Sequence, residues 1–293
     1  AELYLIDKSV MDISPLVATT LGLAVLLVGW VVYDLLCRSP LGDNGPVMLA
    51  LGFLLVGAAS WGLAQVFSGR GAYIHVGAML GTIMVANVAM VIIPGQKKTV
   101  AALLAGQTPD PIHGMRGKQR SVHNNYITLP VLFIMISGHY PMTFGSKSAW
   151  AVLLAISVAG VMIRHFFNLK NTGRIMIGYP IGAVFVLIAL IAWMAPAPST
   201  APKGAAGVPY VKVKAVMDAR CVSCHAVKPT QVGFNEAPKG VVLETKDQVK
   251  ARAAQIYQQV VVAKAMPIAN LTQMTDEERA LLGAWVTQGA RTD

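Results

Sequence analysis

Six apolar stretches, each near the roughly 20 residues a helix needs to cross the hydrocarbon core of a bilayer, constrain this chain more than any other feature. They run over residues 16–36, 47–67, 73–93, 126–140, 150–167 and 175–194. The fourth is short and holds Pro130, which neighbouring helices can accommodate inside a spanning segment. Helices buried in a large soluble core would show polar faces, and these show few. Of the 293 residues, 55% are hydrophobic and 13% charged, against an apolar share of about 45–50% in soluble domains. The expected fold is all-α, a polytopic bundle of six transmembrane helices over residues 1–194 in contact with the lipid bilayer.

The composition changes after Met194. Residues 195–209, APAPSTAPKGAAGVP, read as a semi-rigid linker, and 210–293 read as a small water-soluble domain. From residue 195 onward there are 12 Lys/Arg and 8 Asp/Glu, against 12 and 6 in the longer part before it. The net charge of +10 does not signal nucleic acid, because the bases are scattered and no nucleic-acid motif accompanies them. No signal peptide opens the chain, so the start reads as processed or truncated.

Orientation follows from the bases, which cytoplasmic loops retain. Arg38, Lys97, Lys98, Arg116, Lys118, Arg120, Arg164, Lys170 and Arg174 fall on one side; Lys8, Arg70 and Lys147 fall on the other. The nine mark the cytoplasmic side of a bacterial inner membrane. The amino terminus and the soluble domain then lie outside, the latter in the periplasm.

The sharpest chemical signal is Cys221-Val222-Ser223-Cys224-His225. C-x-x-C-H is the attachment motif of c-type haem: two thiols three residues apart form thioethers with the vinyl groups, and the adjacent imidazole lies under the iron. A redox dithiol or a zinc site is the alternative, but no second Cys pair completes a zinc shell. A helix over 211–220 leads into the motif, and a second begins at Thr275 with a capping box and continues to Gly289. The domain resembles the class I cytochrome c fold over its length, in which the first and last helices cross beside the haem. Met266 is the expected sixth ligand, ahead of its competitor Met274, because a thioether raises the potential.

Five of the six histidines, His75, His113, His123, His139 and His165, lie before the linker, and ionisable groups at bilayer depth are usually functional. His75 and His139 approach the outer face, His123 and His165 the inner. In one reading, His75 with His139 or His123 with His165 ligates a haem b. In another, these residues bind substrate or make interhelical hydrogen bonds. His123 and His139 are 16 residues apart, roughly 24 Å along a helix, so they cannot serve one side of the bundle together.

The segment RSVHNNYITLPVLFIMISGHYP over 120–141, with YLIDKSV near the start, HVGAMLGTIMVANVAMVIIPGQKK over 75–98 and RHFFNLKN over 164–171, resembles the bacterial membrane-bound, cytochrome c-linked urate oxidases, or urate hydroxylases. The resemblance implies oxidation of urate to 5-hydroxyisourate, with electrons passed to the fused cytochrome and on to a respiratory acceptor, so that peroxide is not the product. It also implies further helices before Ala1 that this chain lacks, making it a fragment of the family's architecture.

Urate at neutral pH is a planar anion, suited to an Arg fork, amides and an aromatic plane, and its oxidation needs a base, usually His. His123, Asn124, Asn125, Arg164, His165 and Asn168 supply those groups at the inner face. Arg70, Tyr73, His75, His139 and Tyr140 supply them at the outer. The inner set is denser in amides and guanidinium and is favoured, although its electrons must cross roughly 30 Å of hydrocarbon. Cys37 reads as a structural thiol.

Overall fold

The computed structural model describes residues 5–7, 10–145, 148–195 and 207–292, and these are helical, with no strand among them. The first four long helices each start where a residue supplies a side-chain cap. Helix α1 (Pro15–Arg38) opens on Ser14, whose hydroxyl accepts the Val17 amide at 3.3 Å. Asn44 does the same for α2 (Gly45–Ala64), Ser68 for α3 (Gly69–Leu104) and Asp110 for α4 (Pro111–Ser137), each satisfying an amide that the helix leaves without a partner. Helix α3 runs over Gly69–Leu104 through a π turn at Asn87–Ile92. Helix α4 (Pro111–Ser137) is followed by a short α5 (Pro141–Phe144), α6 (Ala149–Asn171) and α7 (Gly178–Met194).

Four of these helices, α1, α2, α3 and α6, are long and apolar enough to cross a membrane, not six. The expected span at 126–140 is only the second half of α4, which begins at Pro111 and ends at Ser137. Its first half carries Arg116, Lys118, Arg120, His123 and two asparagines. The expected span at 175–194 is α7, apolar but 17 residues long. The long loop expected after the third span is also largely helix, because α3 continues to Leu104 and α4 resumes at Pro111. Hydropathy marks where lipid can be met, whereas a helix continues wherever its hydrogen bonds do.

Helix α3 packs against α1, α2 and α4, and α6 packs against α2, α4 and α7. At the crossing of α4 and α6, a Cβ on Gly160 would lie 3.2 Å from the Leu129 Cβ and 3.6 Å from the Pro130 Cδ. The bare backbone there lets α6 seat against the proline turn. Outward-facing Leu23, Leu54, Phe185 and Trp193 are each more than half exposed, an arrangement suited to lipid. The chain is a multi-pass membrane protein.

Most of the 195–209 linker lies outside the described residues. Beyond it, α8 (Tyr210–Arg220), α9 (Lys246–Ala251), α10 (Ala253–Ile256) with a π turn at Tyr257–Val262, and α11 (Asp276–Thr287) enclose a second core. Helices α8 and α11 pack together. Arg220 Nε donates to both Glu278 carboxylate oxygens at 3.0 Å, and Tyr210 lies 6.2 Å from the buried Trp285. The Thr275 capping box is formed in full. The turn at 257–262 rests against α5.

Candidate functional site

The C-x-x-C-H segment leaves the end of α8. Cys221 and Cys224 are free thiols held three residues apart by a turn in which the Cys224 and His225 amides both donate to the Cys221 carbonyl. His225 Nδ1 lies 2.8 Å from the Val241 carbonyl. A carbonyl only accepts, so Nδ1 carries the proton and Nε2 keeps its lone pair for a metal, the usual way a protein orients an imidazole ligand. Burial pushes the Cys221 thiol up to about 12, with the Cys224 sulfur adding to the shift. An activated redox thiolate needs the opposite shift. Among the described residues no cluster of three His, Cys, Asp or Glu side chains forms a shell for a metal ion.

The two candidate methionines differ in burial. Met274 is 4% exposed within the core of the domain. Met266 is half-buried and packs at the edge of that core. Its carbonyl accepts from Arg279 Nη1 at 2.7 Å.

In the bundle, the residues expected to form one inner site divide between two faces of α4. On the first face, His123 Nδ1 lies 2.9 Å from the Tyr33 hydroxyl and 3.7 Å from the Cys37 sulfur of α1. The Asn87 amide donates to the Tyr33 oxygen at 3.0 Å and to Asn124 Oδ1 at 2.8 Å. Arg120, 3% exposed, donates to Asn87 Oδ1 at 3.2 Å and to Asp34 Oδ1 at 2.8 Å. Its guanidinium carbon stands 5.1 Å from the centre of the Tyr33 ring. Asn87 opens the π turn of α3, a distortion frequent at functional positions.

On the second face, Arg164 Nε and Asn168 Nδ2 both donate to Asn125 Oδ1, at 2.8 and 2.9 Å. His165 Nδ1 lies 2.6 Å from the Tyr126 hydroxyl, and the Tyr179 ring meets His165 edge-on at 4.5 Å. These residues are half-buried. His123 and His165 therefore engage separate tyrosines, which gives no support to their ligating one haem b together.

The outer set is packed differently. His75 stacks on Phe67 at 4.3 Å and bonds the Gly71 carbonyl at 2.7 Å. Its Nε2 abuts Gly22, where a Cβ would lie 2.6 Å away. Tyr73 is buried with its hydroxyl between the carbonyls of Thr143 and Ala149, whereas His139 and Tyr140 are exposed.

Sequence reasoning missed Tyr33, Asp34, Asn87 and Tyr179, and it counted Arg120 among loop bases although it is buried in the bundle. The signal was present in part: Asp34 and Asn87 are polar residues inside apolar runs.

The family described as urate oxidase N-terminal matches residues 1–195. This corrects the expectation that the family's N-terminal helical domain is missing here: residues 1–195 match it, and they hold α1–α7. The match stops before the tail, so recognition of a class I cytochrome c domain there has no support from it and is withdrawn. No curated protein and no solved structure matches the chain.

Proposed function

Because this chain belongs to the urate oxidase N-terminal family, we propose that it oxidises urate to 5-hydroxyisourate in its membrane bundle and passes the electrons to a haem c on its own tail. The observation that carries this reading is the arrangement at His225. An imidazole with its Nδ1 proton held by the Val241 carbonyl follows two thiols at the haem-attachment spacing, in the same chain as the urate-oxidase domain. Cys221 and Cys224 would hold the haem by thioethers, and His225 Nε2 and the Met266 sulfur would ligate its iron. When bound, that group supplies a one-electron carrier on the periplasmic side of a bacterial inner membrane.

The substrate would lie on the α6 face of α4. The Arg164 hydrogen bond to Asn125 uses only Nε, which leaves the paired terminal nitrogens for a planar anion. Asn168 supplies a second amide. His165, held against the Tyr126 hydroxyl at 2.6 Å, is the base. Urate and water give 5-hydroxyisourate, two protons and two electrons, so the haem is reduced twice per turnover and a respiratory acceptor must reoxidise it. Transfer from this face across roughly 30 Å of hydrocarbon requires an intermediate carrier.

The test is urate added to oxidised membranes while the absorption of the proposed haem c is followed, beside a pyridine haemochrome spectrum that counts c-type and b-type haem. Reduction by urate supports the reading. Reduction by quinol alone would make the chain an electron-transfer protein without urate chemistry.

A further inference from the structure

Between the second half of α3 and the first turns of α4 lies an open groove of about 580 Å³. A neighbouring hollow of about 400 Å³ shares its Gln96 and Val100 walls and extends it towards Leu104. Its long wall is aliphatic: Ile92, Ile93, Val100 and Leu104. Leu104 is 84% exposed.

The other wall is polar. His113, Lys118 and Ser121 face the groove from α4, and Lys97 lines the extension from α3. Gly114 and Gly117 floor it, and a Cβ at either would meet nothing within 4 Å, so the space is open. Among the described residues no acidic side chain lines either part. Asp110, the nearest acid in sequence, accepts the Ile112 amide at 2.9 Å as the cap of α4.

An aliphatic wall that faces two ammonium groups and an imidazole matches one ligand shape, an acyl chain joined to an anionic headgroup. We propose that this groove is a binding site for an anionic phospholipid, with the headgroup on Lys97, Lys118 and His113 and one acyl chain along Ile92, Val100 and Leu104. Basic clefts between helices at the membrane surface bind acidic headgroups through short-range attraction that fades within a Debye length. The site is separate from the Arg164 face, on which it does not depend.

The full chain, reconstituted in vesicles of phosphatidylcholine carrying a photoactivatable phosphatidylglycerol, tests this. Crosslinks are expected on residues 92–121, reduced about fivefold for each lysine removed in Lys97→Ala and Lys118→Ala. Both should return to wild-type level in the Arg variants. Lys170→Ala, at an exposed lysine of α6, should leave labelling unchanged. Because both groove lysines are exposed, a loss of labelling with an unchanged melting temperature reads binding rather than folding. Equal labelling by photoactivatable phosphatidylcholine, or displacement of the label by urate or by an uncharged quinone, would overturn the proposal.

Discussion

At the scale of single residues, the loop bearing Met266 is held by the buried guanidinium of Arg279, which donates to the carbonyls of Val260 at 2.6 Å and Met266 at 2.7 Å. Replacing it with Met leaves those carbonyls without a partner, at roughly 1–3 kcal/mol for each buried group. With the proposed haem c in place, Arg279→Met is expected to lower the thermal midpoint of the tail, read from haem absorbance in the full chain. It should also weaken the long-wavelength sulfur-to-iron band while the haem stays covalently attached. Met266→Ala should abolish that band. Met274→Leu should keep it, because Met274 fills the core, where a swap of similar volume costs under about 1.5 kcal/mol. A band that survives Met266→Ala would reject this ligand. Sequence spacing names both methionines on the same loop; their different burial arises from the fold of residues 263–275 around Arg279 and is not written in the spacing.

At the scale of elements, α4 carries a different polar set on each of two faces. Asp34 of α1 and Arg120 of α4 form a pair whose side chains are 13% and 3% exposed. Removing one partner strands a buried charge at a cost of about 3–5 kcal/mol, whereas replacing both with apolar groups is often tolerated. Asp34→Leu is therefore expected to reduce sharply the fraction that survives heating as a monodisperse species in detergent. Asp34→Leu with Arg120→Met should recover much of that loss. Equal behaviour of the single and double variants would show that the pair is not coupled.

Much of this architecture was legible from the apolar runs, including the all-α class, the helix before Cys221 and the capped helix from Thr275. The extent of α4 was not, since its first half is polar and a hydropathy pattern ends where lipid contact ends. For the same reason Arg120 read as a cytoplasmic base and not as the centre of a buried network. His123, Asn124 and Asn125 read as one cluster because they are adjacent in sequence, but successive helical residues turn by about 100° and so divide among α1, α3 and α6.

For the whole molecule, the proposed reaction separates in space the group that binds urate from the group that accepts its electrons, so variants at the two ends should fail in different ways. Arg164→Ala removes a charge-assisted contact worth roughly 1.5–3 kcal/mol, which corresponds to a loss of urate affinity on the order of 10- to 100-fold. Dithionite should still reduce its haem c completely. Cys221→Ala with Cys224→Ala should show the reverse: urate binding by equilibrium dialysis near wild type, no haem retained on the boiled, acid-acetone-extracted polypeptide, and no turnover with a respiratory acceptor. Lysine at 164 separates charge from geometry, because it keeps the cation but loses the planar fork; its affinity should fall between wild type and Ala. Normal urate binding in Arg164→Ala would remove the substrate from the α6 face. The Tyr33–Asn87–Arg120 network on the opposite face of α4 would then be the next place to look for it, since it holds the other guanidinium, amide and imidazole groups that α4 brings together.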